Sequence, residues 1–356
     1  MWNSNEFTRR LALEVPIVQG PFGGGLSAVD LVVEVSEGGG LGSFGVHHLD
    51  GAGIRDITTK IRALTRRPFA LNLWMPHAGS DDPRLTAAQW NAACDVLRPY
   101  FVELGVPLPA RPARFGPDFE EQLETVLELE PPVFSFIFGV PPAAALDRCR
   151  RAGTATVGTA TTPAEAKLLA DAGVDCIVAT GFEAGGHRVS FLREPEDCLT
   201  GTMTLVPQVV DAVKVPVIAA GGMVDGRGVA AALKLGATGA QIGTAFLACE
   251  ESNAPPLHRE KLFSADAGRT TLTRAFTGRL ARSIHNDFID AMRGKEGAFA
   301  PYPVHAWLNA QLRPAALAAG RADLISLWSG QGAPLLEHRR AAQLLRSLVS
   351  ETARSM

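Results

Sequence analysis

Residues 216–244 read PVIAAGGMVDGRGVAAALKLGATGAQIGT, and this stretch decides the fold. It begins with an apolar, strand-like run at 216–219, passes through a glycine loop, and continues as an amphipathic helical pattern over 226–235. A second strand-like run follows at 239–242. A strand, a helix and a strand in this order predict a βαβ unit, whose two strands lie parallel in one sheet.

The same alternation extends over much of the chain. Amphipathic helical patterns follow most of the strand-like runs, for example at 28–37, 142–152 and 163–172. The runs lie at 16–19, 41–44, 69–73, 133–138, 155–158, 176–179, 216–219 and 239–242. Because there are eight runs, they predict an α/β fold of the closed (β/α)8 TIM barrel type.

The residues at the helix ends agree with this assignment. Pro163 and Asp225 stand where helices begin, and Gly153, Gly173 and Gly236 stand where helices end.

Two stretches of the sequence go beyond what a minimal (β/α)8 barrel contains. Residues 75–130 are too long for one crossover, and they carry helical patterns at 86–103 and 119–129 joined by the proline-rich VPLPARPARFGP. From about Cys249 onward the chain reads as helices without strands. The predicted parts are a barrel at 1–74 and 131–250, a helical insertion or cap at 75–130, and a helical C-terminal segment at 251–356 that packs on the barrel.

Composition excludes several classes of protein. The net charge of -3 and the pI of about 6.3 give no basic face, so we expect no nucleic-acid partner. The cysteines form no C-x-x-C pair, which fits neither a disulfide framework nor a metal site, and we interpret them as reduced. They are Cys94, Cys149, Cys176, Cys198 and Cys249. The sequence has no signal peptide and no membrane span, so we expect a soluble, cytoplasmic protein.

Glycine loops follow the last two barrel strands. Gly221 and Gly222 end the seventh strand, and Gly243 ends the eighth. In TIM barrels these two loops commonly hold phosphate at the C-terminal face, where exposed backbone N–H groups bind an anion. The strand-seven loop alone is equally consistent with a tight turn, but the two loops together predict a phosphorylated ligand.

The segment TGFEAGGH, residues 180–187, delivers a histidine to the same face directly after the sixth strand. Its two adjacent glycines let the backbone approach a ligand closely. An unperturbed histidine has a pKa of about 6.5, which suits the side chain of His187 to proton transfer. A surface turn with an incidental histidine is the alternative for this motif taken alone.

One glycine pattern is misleading. Residues 40–45, GLGSFG, match G-x-G-x-x-G, but a helical segment precedes them and they themselves form the strand. The strand, turn and helix order of a dinucleotide-binding fingerprint is therefore missing.

Several motifs together resemble one family across nearly the whole chain. They are PIVQGP at 16–21, EAGGH at 183–187, PVIAAGG at 216–222, QIGT at 241–244, FTGR at 276–279 with Ala281, Arg282 and Asn286, and WSGQ at 328–331. This combination resembles the nitronate monooxygenases, formerly called 2-nitropropane dioxygenases. Single motifs are shared with relatives such as the flavin-dependent enoyl-acyl-carrier-protein reductases.

The resemblance implies an FMN-binding barrel that oxidises alkyl nitronates, such as propionate 3-nitronate, with molecular oxygen. The FMN contacts that it implies are Gly20, Pro21, Phe22, Asn72, Thr180, Gly185, Gly186, Gly221, Gly222, Gln241, Ile242, Gly243 and Thr244. Thr180 departs from the family, which usually has glutamine there. Its shorter side chain leaves one flavin contact to water or another group.

The resemblance makes His187 the catalytic residue. An imidazole can hydrogen-bond the nitronate anion, or take an α-proton from a neutral nitroalkane. General-base catalysis of this kind contributes roughly 10²- to 10⁴-fold in rate.

Other side chains carry two interpretations each. His47 and His48 follow the second strand, where they could face the pocket, but we expect a histidine pair in a polar loop to be solvated. Asn72 suits the isoalloxazine edge, with a capping role as its alternative. Glu183 is expected to cap its own loop.

The C-terminal segment also carries candidates. Arg279, Arg282 and His285 belong to this segment, where an arginine could meet the FMN phosphate or pair with a carboxylate on the surface. Residues 329–331 either close over the pocket or form the entry to a helix that continues through the amphipathic run 335–348.

Two other functions remain open. One is an enoyl-thioester or quinone reductase that consumes NAD(P)H, and the other is a flavin-binding barrel without turnover. In each the partner is a small molecule, and the sequence leaves open whether the chain forms a homo-oligomer.

Overall fold

The computed structural model describes residues 2–76 and 85–356. The strands are β1 (Ile17–Gln19), β2 (Gly42–Gly45), β3 (Phe69–Trp74), β4 (Val133–Ile137), β5 (Ala155–Ala160), β6 (Cys176–Thr180), β7 (Gly186–His187), β8 (Val217–Ala220), β9 (Gly239–Ile242), β10 (Thr270–Thr273) and β11 (Ala281–Ile284). The α-helices are α1 (Glu6–Leu11), α2 (Val29–Glu37), α3 (Gly51–Leu64), α4 (Ala87–Glu103), α5 (Phe119–Leu129), α6 (Ala143–Ala152), α7 (Pro163–Asp171), α8 (Thr202–Ala212), α9 (Gly226–Lys234), α10 (Thr244–Leu247), α11 (Pro256–Leu262), α12 (Asp287–Met292), α13 (Val304–Ala318) and α14 (Ala341–Ser355).

Eight parallel strands form the barrel, in the order β1-β9-β8-β6-β5-β4-β3-β2. The two ends of this sheet meet where Leu41 donates its N–H to the carbonyl of Ile17 and accepts from the N–H of Gln19, both at 2.9 Å. The predicted TIM barrel is confirmed, and each predicted strand lies within about two residues of an observed one.

The N-terminal end of the barrel is closed by α1. Phe7 of this helix is fully buried among Val18, Leu41 and Ile218. A Cβ added at Gly239, at the start of β9, would lie 3.0 Å from the Phe7 ring. Apolar side chains thus fill this end of the barrel, and the C-terminal end is the one where TIM barrels bind their ligands.

The helix ends follow the predicted capping signals. The Asp225 carboxylate accepts from the N–H of Gly228 at 3.1 Å at the start of α9, and Pro163 is the first residue of α7. Gly153 ends α6 in the left-handed conformation, with φ 75°. Gly173 and Gly236 follow the last turns of α7 and α9.

The segment between β3 and β4 contains the two predicted helices, α4 and α5. Helix α5 contacts α3 and α6, so it occupies the position of the barrel helix that follows β3. Helix α4 instead packs against α13 of the C-terminal segment. Residues 77–84 of the predicted insertion lie outside the described residues, and the division of the chain into barrel, cap and extension stays a prediction.

The expectation of a C-terminal segment without strands is wrong. β10 and β11 pair antiparallel there, and β11 also pairs with β7, which contains His187. Both strands are only four residues long and carry polar side chains, so no apolar alternation marked them.

All five cysteines are buried and form no disulfide, as predicted. Within the ranges 2–76 and 85–356, we find no helix with the length and apolar character needed to cross a bilayer.

Candidate active site

A cavity of about 560 Å³ opens at the C-terminal ends of the barrel strands. Most of the residues implied by the sequence motifs line it. They are Gly20, Pro21, Phe22, Asn72, Thr180, Gly185, Gly186, His187, Gly221, Gly222, Gln241, Gly243 and Thr244. Ile242 differs because its side chain is fully buried, and its carbonyl accepts the N–H of Gly20 at 2.9 Å.

One side of the cavity presents backbone groups. The N–H groups of Gly222, Gly243 and Thr244 donate to no protein acceptor in the described ranges. A Cβ built on Gly243 would meet no atom within 4 Å, so the missing side chain leaves open space beside these donors. Unpaired N–H groups around such a space fit a phosphate group.

A loop from the C-terminal segment, residues 328–332, packs on these glycine loops. Gly330 donates its N–H to the Thr244 hydroxyl at 2.8 Å, and Gln331 donates to the Glu183 carbonyl at 2.9 Å. A Cβ at Gly185 would lie 2.6 Å from the Gly330 nitrogen, so the two segments touch backbone to backbone. The loop therefore helps to form the cavity wall, and the following helix, α14, begins only at Ala341.

Glu183 connects the histidine loop to α8. Its carboxylate accepts from the N–H of Thr202 at 2.9 Å and from the Thr202 hydroxyl at 2.9 Å. Glu183 thus caps the start of α8 rather than its own loop, and the sequence expectation is wrong because the donor groups of Thr202 lie 19 residues away.

His187 has a defined hydrogen-bond partner. Its Nε2 lies 3.0 Å from the hydroxyl oxygen of Thr277. That hydroxyl has one proton and donates it to the carbonyl of Arg279 at 3.1 Å. When Thr277 donates to that carbonyl, it accepts from His187, and we assign the imidazole proton to Nε2 and the lone pair to Nδ1 on this hydrogen-bond geometry.

Aromatic rings surround the imidazole. The ring centroid of His187 lies 5.2 Å from that of Trp74, 5.6 Å from that of Trp328 and 6.2 Å from that of Tyr302. Burial, and secondarily the positive charge of Arg279, lower the pKa of His187 to about 3. The imidazole is therefore neutral at physiological pH, with Nδ1 able to accept a proton.

The expectation that His47 and His48 are solvated is wrong. Both line the cavity, and the His47 ring stacks on Trp74 with centroids 3.7 Å apart. The Nδ1 atoms of both histidines are buried without a hydrogen bond to the described residues. Burial holds the pKa of His47 well below its usual value, and burial also lowers the pKa of His48.

The arginines of β11 and its preceding turn do not lie on the glycine loops. Arg279 stacks between Phe138 and Tyr302, with its guanidinium carbon 4.4 and 4.1 Å from their ring centroids. Arg282 is buried and donates to the Phe182 carbonyl at 2.9 Å.

His285 is the third of these candidates in the C-terminal segment. It bonds Asp290 at 2.7 Å, which is the carboxylate alternative.

A family model described as nitronate monooxygenase matches residues 5–351. The chain belongs to the nitronate monooxygenase family. The resemblance seen in the sequence motifs is thereby confirmed, and the chain is an oxidoreductase of a generally flavin-dependent family.

Relatives of the family agree over the full length. A protein named "Probable nitronate monooxygenase" from Staphylococcus aureus (strain Newman) is 38% identical over 352 residues, which cover 99% of this chain and 98% of that protein. The structure of nitroalkane oxidase from Streptomyces ansochromogenes superposes with a TM-score of 0.90 at 38% identity, with 99% of each chain covered. FabK from Thermotoga maritima is more distant, with a TM-score of 0.76 at 27% identity, 99% of this chain and 97% of that chain being covered.

In this member of the nitronate monooxygenase family, the sequence motifs did not single out Arg188. Arg188 is buried and donates to the carbonyls of Thr180 at 3.1 Å and Gly181 at 2.7 Å. It thereby holds the end of β6, from which the histidine loop departs. A charged residue directly after the GGH motif is the only signal in the sequence.

Asn72 does not act as a helix cap. Its Nδ2 donates to the Ser135 hydroxyl at 3.0 Å on the neighbouring strand β4, and the residue lines the cavity. Its amide retains a second N–H and the carbonyl oxygen for a ligand.

Proposed function

We propose that this chain binds FMN and oxidises alkyl nitronates, such as propionate 3-nitronate, with molecular oxygen. One observation carries the proposal. The neutral imidazole of His187 lines the same cavity as the unpaired N–H groups of Gly222, Gly243 and Thr244. A cavity with an anion-binding backbone side and a proton-accepting side chain suits a phosphorylated cofactor and an acidic substrate.

The backbone N–H groups of Gly222, Gly243 and Thr244 would hold the FMN phosphate. Residues 20–22 and the amide of Asn72, which line the cavity at the strand ends, would hold the isoalloxazine. Thr180 also faces the cavity, where its hydroxyl offers one hydrogen bond in place of the family's glutamine amide. Gly185, Gly186, Gly221 and Gln241 complete the proposed contacts, whereas Ile242 contributes only backbone.

FMN, when bound, supplies the electron acceptance that oxidation of a nitronate requires, and oxygen then enters. The protein positions the substrate and controls one proton. Nδ1 of His187 is the atom left to meet the substrate because Nε2 is bonded to Thr277. We assign it the removal of an α-proton when the substrate arrives as a neutral nitroalkane.

A nitronate is already deprotonated and brings a negative charge. The guanidinium of Arg279 lies close enough to His187 to affect its titration, and the same positive charge favours an anion beside the ring. The aromatic walls formed by Trp74, Tyr302 and Trp328 keep water from the reacting groups.

An anaerobic titration tests the proposal. The purified, FMN-loaded protein receives propionate 3-nitronate in one cuvette and NADPH in another, and the flavin absorbance is followed. Bleaching by the nitronate alone supports the proposed function.

The second candidate is an enoyl-thioester reductase, which the similarity to FabK favours. Rapid bleaching by NADPH, with no response to the nitronate, would establish a reductase instead. A protein that is colourless and takes up no FMN would contradict every flavin-dependent function.

A further inference from the structure

The cavity extends well beyond His187, along one face of α13. Tyr302, just before this helix, has its ring 6.2 Å from the imidazole. Arg313 lines the same cavity and lies on α13, nine residues after the first helical residue Val304. At 1.5 Å per residue, Arg313 is roughly 13 Å further along the helix axis. The cavity therefore has a reactive end and a distal end.

The wall between the two ends is largely apolar. Ala306 and Ala310 contribute small side chains, and Trp307 lines the same stretch. At the distal end, Asn309 and Arg313 are one helical turn apart and both face the cavity. An alkyl chain fits such a wall, and polar recognition is concentrated at its end.

Arg313 has no counterion among the residues that the structure describes. It forms no ion pair with any residue of the ranges 2–76 and 85–356, and its hydrogen bond is a single long one, from Nη1 to the Gly24 carbonyl at 3.3 Å. The described residues that line the cavity include no aspartate or glutamate. Burial lowers the pKa of Arg313, so the charge is held in a partly dehydrated place. An unpaired, partly buried cation is costly, and a bound anion would offset that cost.

We propose that Arg313 and Asn309 bind an acidic group of the substrate and so favour nitronates whose carboxylate lies several methylene groups from the reacting carbon, beyond the single methylene of propionate 3-nitronate. This proposal rests on the proposed function for the identity of the reacting group. The FMN phosphate is a different anion, and its proposed site is the set of backbone donors at Gly222, Gly243 and Thr244.

The first test needs no turnover. Straight-chain carboxylates from butanoate to octanoate, and the matching alcohols, are titrated into the FMN-loaded protein by calorimetry. Arg313→Met keeps the length of the side chain and removes the charge, whereas Arg313→Lys restores a charge. Arg9→Met removes an equal charge from the exposed surface of α1 at the opposite end of the barrel, and is the matched control.

We expect Arg313→Met to bind the carboxylates roughly 10- to 100-fold more weakly, since a hydrogen-bonded charge is lost. The Arg313→Lys variant should recover part of the affinity. The Arg9→Met control should bind the carboxylates with the wild-type affinity, and the affinity for the alcohols should be the same in every variant. Equal affinity of wild type and Arg313→Met for the acids would overturn the proposal. A loss of FMN from the methionine variant would overturn it as well, because Arg313 would then serve the cofactor.

The second test measures kcat/KM for nitronates with and without a terminal carboxylate, over chains of three to eight carbons. The ratio of kcat/KM for the carboxylated nitronate to that for its uncharged partner should rise as the chain lengthens. In Arg313→Met this rise should disappear because KM for the carboxylated nitronates increases. Equal losses for both series would overturn the substrate assignment. Wild-type protein that binds the acids through Arg313 but oxidises none of the nitronates would overturn the proposed function and leave the anion site intact.

Discussion

The two sides of the cavity are built in different ways. The glycine side offers backbone N–H groups from the loops after β8 and β9. Its open shape depends on glycine, which has no side chain to fill the space. The histidine side is made of side chains from distant parts of the chain, namely Trp74, His187, Thr277, Tyr302 and Trp328. The comparison teaches that ligand binding by backbone and proton chemistry by side chains are separable here. Variants on one side should therefore leave the other side working.

The largest effect is expected at His187. Replacing it by alanine removes the proton acceptor but no proposed FMN contact of the glycine loops. Oxidation of a neutral nitroalkane should fall roughly 10²- to 10⁴-fold, measured as oxygen consumption, while the bound FMN per chain stays at the wild-type level. A variant as active as the parent would refute the catalytic role.

A smaller effect is expected on the glycine side from Gly243→Ala. The added Cβ meets no protein atom within 4 Å and the residue has φ -95°, so the fold should tolerate it. The methyl group would occupy the proposed phosphate space and weaken FMN binding roughly tenfold or more, measured by fluorescence titration.

Gly297→Ala is the matched control for that experiment. Its Cβ also meets open space, but the residue is exposed and does not line the cavity. Unchanged FMN affinity in Gly243→Ala would mean that the phosphate lies elsewhere.

Thr277→Val tests the hydrogen bond that orients His187 on the histidine side. Valine keeps the shape of threonine but cannot accept a hydrogen bond from Nε2–H of His187. The imidazole therefore loses the partner that fixes its tautomer. We expect kcat to fall about tenfold, the scale of one hydrogen bond, with FMN binding unchanged. Thr277→Ser should restore the rate, and a serine variant as slow as valine would show that packing, not the hydroxyl, matters.

The smallest effect is predicted for pH. The pKa of His187 is lowered to about 3, whereas a free histidine titrates at about 6.5. The base is therefore already unprotonated at pH 6.5, and lowering the pH to about 5 should not reduce kcat through this group. A stopped-flow pH profile of flavin reduction checks this, and a fall centred near pH 6.5 would contradict the neutral imidazole.

Sequence patterns predicted the repeated and local features. The eight strands, the glycine loops and the position of His187 follow from short periodicities and from the rule that parallel strands end at one face. The buried side chain of Ile242 has a simple cause. Neighbouring strand residues point to opposite faces, so when Gln241 lines the cavity, Ile242 enters the core.

The side-chain environment could not be predicted in the same way. Thr277 lies 90 residues from His187, and the contact between Gly330 and Thr244 spans 86 residues. Such pairs depend on how the C-terminal segment packs over the barrel, which local composition does not encode. The stacking of His47 on Trp74 is of the same kind, and it reversed the expectation of a solvated histidine.

One measurement addresses the separation of the two sides directly. FMN content and anaerobic bleaching by a neutral nitroalkane are recorded together for the wild type, His187→Ala and Gly243→Ala. We predict that His187→Ala stays yellow but bleaches far more slowly, and that Gly243→Ala loses flavin. A His187→Ala protein that has lost its flavin, or that bleaches at the wild-type rate, would contradict the account.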